Sequence, residues 1–233
     1  MAFTADRAAR DANWIDTLTA EALAFGLLGK ALYIQPDGEW VQLLVDQAVF
    51  EEAPLGAEQP DVMAGLDALQ TWAEVNRGGM THEAIEALQS DYTHLFIGPG
   101  KVLAAPWESI YFNDDRLVFQ EQTLEVRSWY RRFGLEPEKL YSEPDDHIGL
   151  ELAFLAHLAR RGLRALEEGD RETFDELLRS QRAFLHAHPL KWVGPWCAQV
   201  EEHAATGFYR GIALLTRGML ATMAAILEST VSE

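Results

Sequence analysis

The chain has one cysteine, Cys197, so it can form no internal disulfide, and such usage fits a reducing cytoplasm. It contains no uninterrupted apolar run of the roughly 18 residues that a membrane span requires. The opening MAFTADRAARDANW mixes acids with bases and has no apolar stretch behind it, which is not the build of a secretory signal. Bases are scarce: 19 Lys and Arg stand against 37 Asp and Glu, for a formal net charge of −18. That balance argues against nucleic acid and anionic membrane surfaces, whose phosphates it repels. It favours cationic partners, or serves solubility alone. No Pro/Gly/Ser-rich linker divides the 233 residues, so one domain over 1–233 is expected. Sustained two-residue alternation is missing too, which argues against a sheet.

What is present is helical periodicity. Behind Asp170, a good N-cap, Phe174, Leu177, Leu178, Phe184 and Leu185 share one face at three- and four-residue spacings. Comparable patterns run through Trp14–Tyr33, Asp61–Val75, Thr81–Phe96, Arg116–Phe133, Asp145–Leu166, Pro195–His203 and Phe208–Leu227. Breakers separate them, among them Gln35–Pro36–Asp37–Gly38, Arg77–Gly78–Gly79, Gly134, Gly169 and His188–Pro189. The segments from Asp145 and Phe208 are apolar on more than one face, as central helices would be. The expected fold is an all-α, single-domain helical bundle, and no fixed-period repeat suggests a solenoid.

One long irregular stretch interrupts this pattern. Its GPGK, residues 98–101, resembles half of a phosphate loop, but Leu95 and Val102 stand where the first glycine and the magnesium-binding Ser or Thr belong. Gly98 and Gly100 permit turns, Pro99 and Pro106 stiffen the chain, and Trp107, Ile110, Tyr111 and Phe112 should pack against helices. A second stretch, YSEPDDHIGLELAF, reads as a helix start. Ser142 is a candidate N-cap and Asp145 a capping-box partner, with Glu143, Asp145 and Asp146 at the positive end of the dipole. His147 is either a partly buried ring bonded to backbone or a functional group. Metal or hydrolytic chemistry has little support. His147 and Glu151 share a face without an HExxH or CxxC beside them, and Ser109 has no GxSxG elbow.

YTHLFIGPG, then APWESIY, then EPDDH opening a long apolar helix resemble, in that order, the TorD/DmsD family of cytoplasmic chaperones. The motifs cover residues 89–160 and the helical pattern on both sides is compatible with the family's all-α fold, although nothing beyond Leu220 matches a motif. The resemblance implies a non-enzymatic protein that binds the twin-arginine leader of a molybdenum-containing oxidoreductase before Tat export, and possible contact with the apo-enzyme. It places peptide binding on Leu95, Phe96, Pro106, Trp107, Glu143, Asp146 and His147. Some members resembling DmsD carry an aromatic residue where this chain has Gly100, which bears on leader specificity. It implies no obligatory cofactor; a GTP-binding maturation factor is the alternative, and would need a phosphate site other than GPGK. Monomer and homodimer are both compatible with it. The residues themselves agree, since paired guanidiniums followed by an apolar helix call for carboxylates beside a greasy groove.

Overall fold

The computed structural model describes residues 2–98, 100–113, 115–136 and 143–229, with residues 2–9 as backbone only. Nine α-helices account for most of them: α1 (Ala2–Tyr33), α2 (Gly38–Asp46), α3 (Pro60–Asn76), α4 (His82–Tyr92), α5 (Glu121–Arg132), α6 (Ile148–Glu168), α7 (Arg171–Ala187), α8 (Pro189–His203) and α9 (Gly207–Ser229). Among the described residues there is no strand, only an isolated antiparallel bridge between Trp107 and His147. The all-α expectation therefore holds.

Close approach of glycines sets the two longest helix pairings. A Cβ on Gly29 would lie 2.9 Å from the Gly149 carbonyl, and one on Gly162 would lie 2.9 Å from Leu18. As position rises along α6 the contact falls along α1, so the two run antiparallel. Gly65 meets Gly211 and Val62 meets Gly218 in the same way, which makes α3 and α9 a second antiparallel pair. Between and beside them lie α7 and α8, and the core collects Phe25, Leu28, Leu155, Phe184, Trp192, Trp196 and Phe208 at under 2 % exposure. The central placement expected for α6 and α9 is observed. By length and composition α9 could cross a membrane, but two-thirds of its apolar 18-residue stretch is buried in this core.

Several boundaries differ from the sequence reading. The stretch read only as a breaker at 35–38 starts α2: Asp37 accepts the Glu39 N–H at 2.9 Å, and Val41, Leu44 and Val45 are buried. Helix α8 begins at Pro189, whose missing N–H is harmless at the first position, and Pro195 lies inside it. Helix α5 begins at Glu121 and not Arg116, because Arg116 and Phe119 adopt left-handed backbone angles that no α-helix admits. The Asp170 cap is as expected, accepting from the Thr173 N–H at 3.0 Å.

Candidate functional site

The site is assembled where the irregular segment crosses the start of α6. Helix α4 runs into a π-helical turn, Thr93–Ile97, closed by the Gly98 N–H donating to the Thr93 carbonyl at 2.7 Å. Gly98 and Gly100, at φ 91° and 93°, then fold the chain back so that the Ala104 N–H donates to the Leu95 carbonyl at 2.8 Å. GPGK is thus a return turn. Pro99 lies outside the described residues. The turn's product is burial: Leu95 and Phe96 point inward, with Phe96 packed against Tyr92, Trp196 and Tyr209.

Next, the PWES and EPDDH segments zip together. The Ile148 N–H donates to the Pro106 carbonyl at 2.8 Å, and the Glu108 N–H donates to the Asp146 carbonyl at 2.9 Å. Side chains complete the latch. Asp146 accepts the Ser109 N–H and the Thr123 hydroxyl, both at 2.7 Å. Asp145 takes Arg127 in two bonds, at 2.5 and 3.3 Å, while the Tyr130 hydroxyl donates to its carbonyl. Both aspartates have zero exposure. The expectation that Asp146 presents its carboxylate to a peptide is corrected: it and Asp145 both face inward, held by donors from α5 and the PWES turn.

The capping expectation is corrected as well. Helix α6 starts at Ile148, so Asp145 cannot be its third residue, and Ser142 lies outside the described residues. His147 is the N-cap: its Nδ1 accepts the Gly149 N–H at 3.0 Å. Its ring is held edge-on by Tyr33 and Trp107, with centroids 5.1 and 5.9 Å away. The reading of a buried His bonded to backbone is the one that fits.

At the rim of this latch stand half-buried Trp107, Tyr33 and Glu143, with the Tyr33 hydroxyl donating to Glu143 Oε2 at 2.9 Å. Of the residues expected at the site, Trp107 and Glu143 reach solvent, while Leu95, Phe96, Pro106, Asp146 and His147 lie beneath them. Tyr33, Thr123, Arg127 and Tyr130 were missed by sequence reasoning. A buried-pattern position occupied by Arg127, between Val126 and Tyr130, was the available signal for a buried ion pair.

Behind the latch is a second set of ionisable groups. Glu108 and His188 share a buried hydrogen bond at 2.8 Å. Burial raises the Glu108 pKa, with His188 pulling the other way. Glu151 is fully enclosed, and no well-formed hydrogen bond reaches either oxygen; the nearby Trp192 indole favours its ionised form slightly. Burial, then Glu108 and Asp146, hold its pKa well above the ordinary carboxyl range. Glu21, in the core of α1, is raised well above that range by burial alone. Among the described residues no group of three His, Cys, Asp or Glu is placed to hold a metal.

These carboxyls bind protons more tightly in the folded chain than in the unfolded one, so their contribution to stability is complete below the ordinary glutamate pKa of about 4.3 and declines as pH rises above it. Thermal unfolding should therefore occur at a lower temperature at about pH 8.5 than at about pH 5.5. Glu151→Gln and Glu21→Gln should each flatten the profile by raising the alkaline Tm. A profile unchanged in both variants would refute the assignment.

Residues 57–198 match the family described as nitrate reductase delta subunit. Among curated proteins, the chain is 29% identical to the Tat proofreading chaperone DmsD of Salmonella typhimurium over 204 residues, 86% of this chain and 87% of that one. It is 29% identical to the chaperone protein TorD of Shewanella pealeana over 195 residues, 80% of each. A TorD of Vibrio vulnificus is 31% identical over 153 residues, 66% of this chain and 67% of that one. The family match covers more than half of the sequence and spans both the PWES and the EPDDH segments. The chain therefore belongs to the nitrate reductase delta subunit family, the TorD/DmsD chaperone family that its motifs resemble.

Proposed function

We propose that this protein is a cytoplasmic maturation chaperone that holds the twin-arginine leader of a molybdenum-containing oxidoreductase until the enzyme is ready for Tat export. The observation that carries the reading is the rim over the latch. There Trp107 and Tyr33 offer aromatic surface and Glu143 a carboxylate, on a frame fixed by buried bonds. Family membership and relatives named as chaperones support a binding role without catalysis. In this reading Glu143 meets a guanidinium and Trp107 the following apolar residue. Asp146 and His147 act from below, by holding those two in place. The protein works without a resident cofactor and as monomer or homodimer.

Calorimetric titration of the full chain with a synthetic leader peptide, at low and high salt, tests the proposal. An acidic receptor should attract a basic leader through long-range forces that salt screens, while apolar contact survives. Affinity should thus fall but persist at high salt, and replacing both arginines of the peptide by glutamine should weaken it further. Salt-independent binding, or equal affinity for the arginine-free peptide, would exclude the role assigned to Glu143.

A further inference from the structure

We infer that the exposed strip Phe112, Leu117, Phe119 and Leu124 is the docking surface for the apolar, helix-forming stretch of a leader, with Asp115, Glu121 and Glu125 beside it adding acidic surface to the carboxylate that Glu143 offers the cationic end. The inference rests on the leader-binding reading above and moves most of the contact away from the buried motif residues. Phe112, Leu117, Phe119 and Leu124 are 45, 52, 46 and 61% exposed. On α1 to α3 the exposed large apolar residues, Leu23, Met63 and Val75 among them, are spread along the helices, as is ordinary for a soluble protein. Here they follow one another between the PWES turn and the first turn of α5.

The strip is built, and not merely loose chain. Asn113 donates to the carbonyls of Ser109 and Leu117 and accepts the Leu117 N–H at 2.7 Å, so the loop is closed on itself. At its far end Thr123 bonds to Asp146 and Arg127 to Asp145, which fastens it to the latch that carries Trp107 and Glu143. Phe119 adds an independent observation. Its φ is 59°, a conformation that a bulky side chain resists and glycine accepts readily. Nearly half of the residue remains exposed, so the fold gains little from a phenylalanine at that strained position. Strain without compensating burial points to a use outside the fold. Charge then selects the occupant. Within residues 112–125 Arg116 is the one cation, while Asp115, Glu121 and Glu125 are exposed acids. A segment that is apolar and cationic fits; an acidic segment or an anionic bilayer does not.

The test compares Phe119→Gly and Leu124→Gln with the parent, using as probe a synthetic peptide of two adjacent arginines followed by an apolar helical stretch. Each change should raise the calorimetric Kd about tenfold, as expected for losing one well-buried apolar contact. Thermal unfolding should be unchanged for Leu124→Gln and unchanged or higher for Phe119→Gly, since the glycine relieves strain. Val75→Gln, on exposed α3 surface, should bind as the parent does. If the parent binds the probe and both strip variants bind it equally well, the strip is not the docking surface although the leader reading stands. A parent that does not bind the probe overturns both. Should light scattering show a dimeric parent that Leu124→Gln converts to monomer with the Kd unaltered, the strip joins copies of this chain and the inference fails.

Discussion

Asp145→Ala should lower the unfolding free energy by about 3–5 kcal/mol, a large share of the ~5–15 kcal/mol that holds a typical domain together. The reason is asymmetric. Asp145 has no exposure and its Arg127 partner is buried beside it, so removing the carboxylate leaves a guanidinium without this buried counter-charge and with little access to water. The Tyr130 bond is made to the Asp145 carbonyl and survives the change, which confines the loss to the ion pair and its packing. Arg127→Leu should cost a similar amount by stranding the aspartate. The double variant Asp145→Leu with Arg127→Leu should be less damaged than the sum of the two, because an apolar pair replaces two charges that were costly to desolvate. Urea unfolding of the set measures this directly. An Asp145→Ala protein within about 1 kcal/mol of the parent would mean that the pair is solvated, contrary to its burial. The neighbouring Asp146→Ala should also be costly, at about 1–3 kcal/mol for each buried donor it orphans, the Ser109 N–H and the Thr123 hydroxyl. Leader binding by these variants must therefore be measured well below their Tm, where a loss reflects the rim and not unfolding.

The same residues show what the sequence could and could not reveal. Helical class was legible because a 3.6-residue period needs only local information, and the caps at Asp37 and Asp170 are local too, although the first was read as a break. The latch was not legible in this way. Asp145 and Asp146 find their partners 18, 23 and 37 positions away. From sequence, three acids before an apolar helix look like complements to its dipole, and nothing local says that two of them turn inward. The failure at Arg116–Glu121 has the opposite cause. Leu117 and Leu124 continue the helical spacing of α5, and only the left-handed backbone at Arg116 and Phe119 takes the first of them out of the helix. An apolar pattern there marks exposed surface, not core. The segments that carry the family resemblance are the ones that zip together, and burial separates their residues into a visible rim and a hidden frame.

Gly149→Val should be the most damaging single substitution at the junction of α1 and α6, destabilising the protein by about 3 kcal/mol or more. A Cβ at Gly149 would sit 2.8 Å from the Gly29 carbonyl, 2.8 Å from the Tyr33 Cβ and 3.1 Å from the Tyr33 nitrogen. Two of those are backbone atoms, which cannot rotate aside, so the helices must part or the first turn of α6 must shift. Alanine makes the same contacts with less bulk and gains about 1 kcal/mol of helix propensity over glycine, so Gly149→Ala should be milder. Gly26→Ala, one turn earlier than Gly29 on α1, is the control. Its Cβ would meet only the end of Arg160, a flexible side chain, at 3.0 Å, and the change should be neutral or stabilising. For a domain of this length ~3 kcal/mol corresponds to a fall in Tm of roughly 6–12 °C. The damage should also reach the rim. Gly149 donates its N–H to His147, and Tyr33 donates its hydroxyl to Glu143, so displacing either helix end disturbs the cap and the half-buried carboxylate together. Affinity for a leader peptide should accordingly drop in Gly149→Val even at temperatures where circular dichroism shows the protein fully folded. A variant that melts like the parent would mean that α1 and α6 are not in backbone contact. One that melts lower yet binds equally well would detach Tyr33 and Glu143 from the leader site.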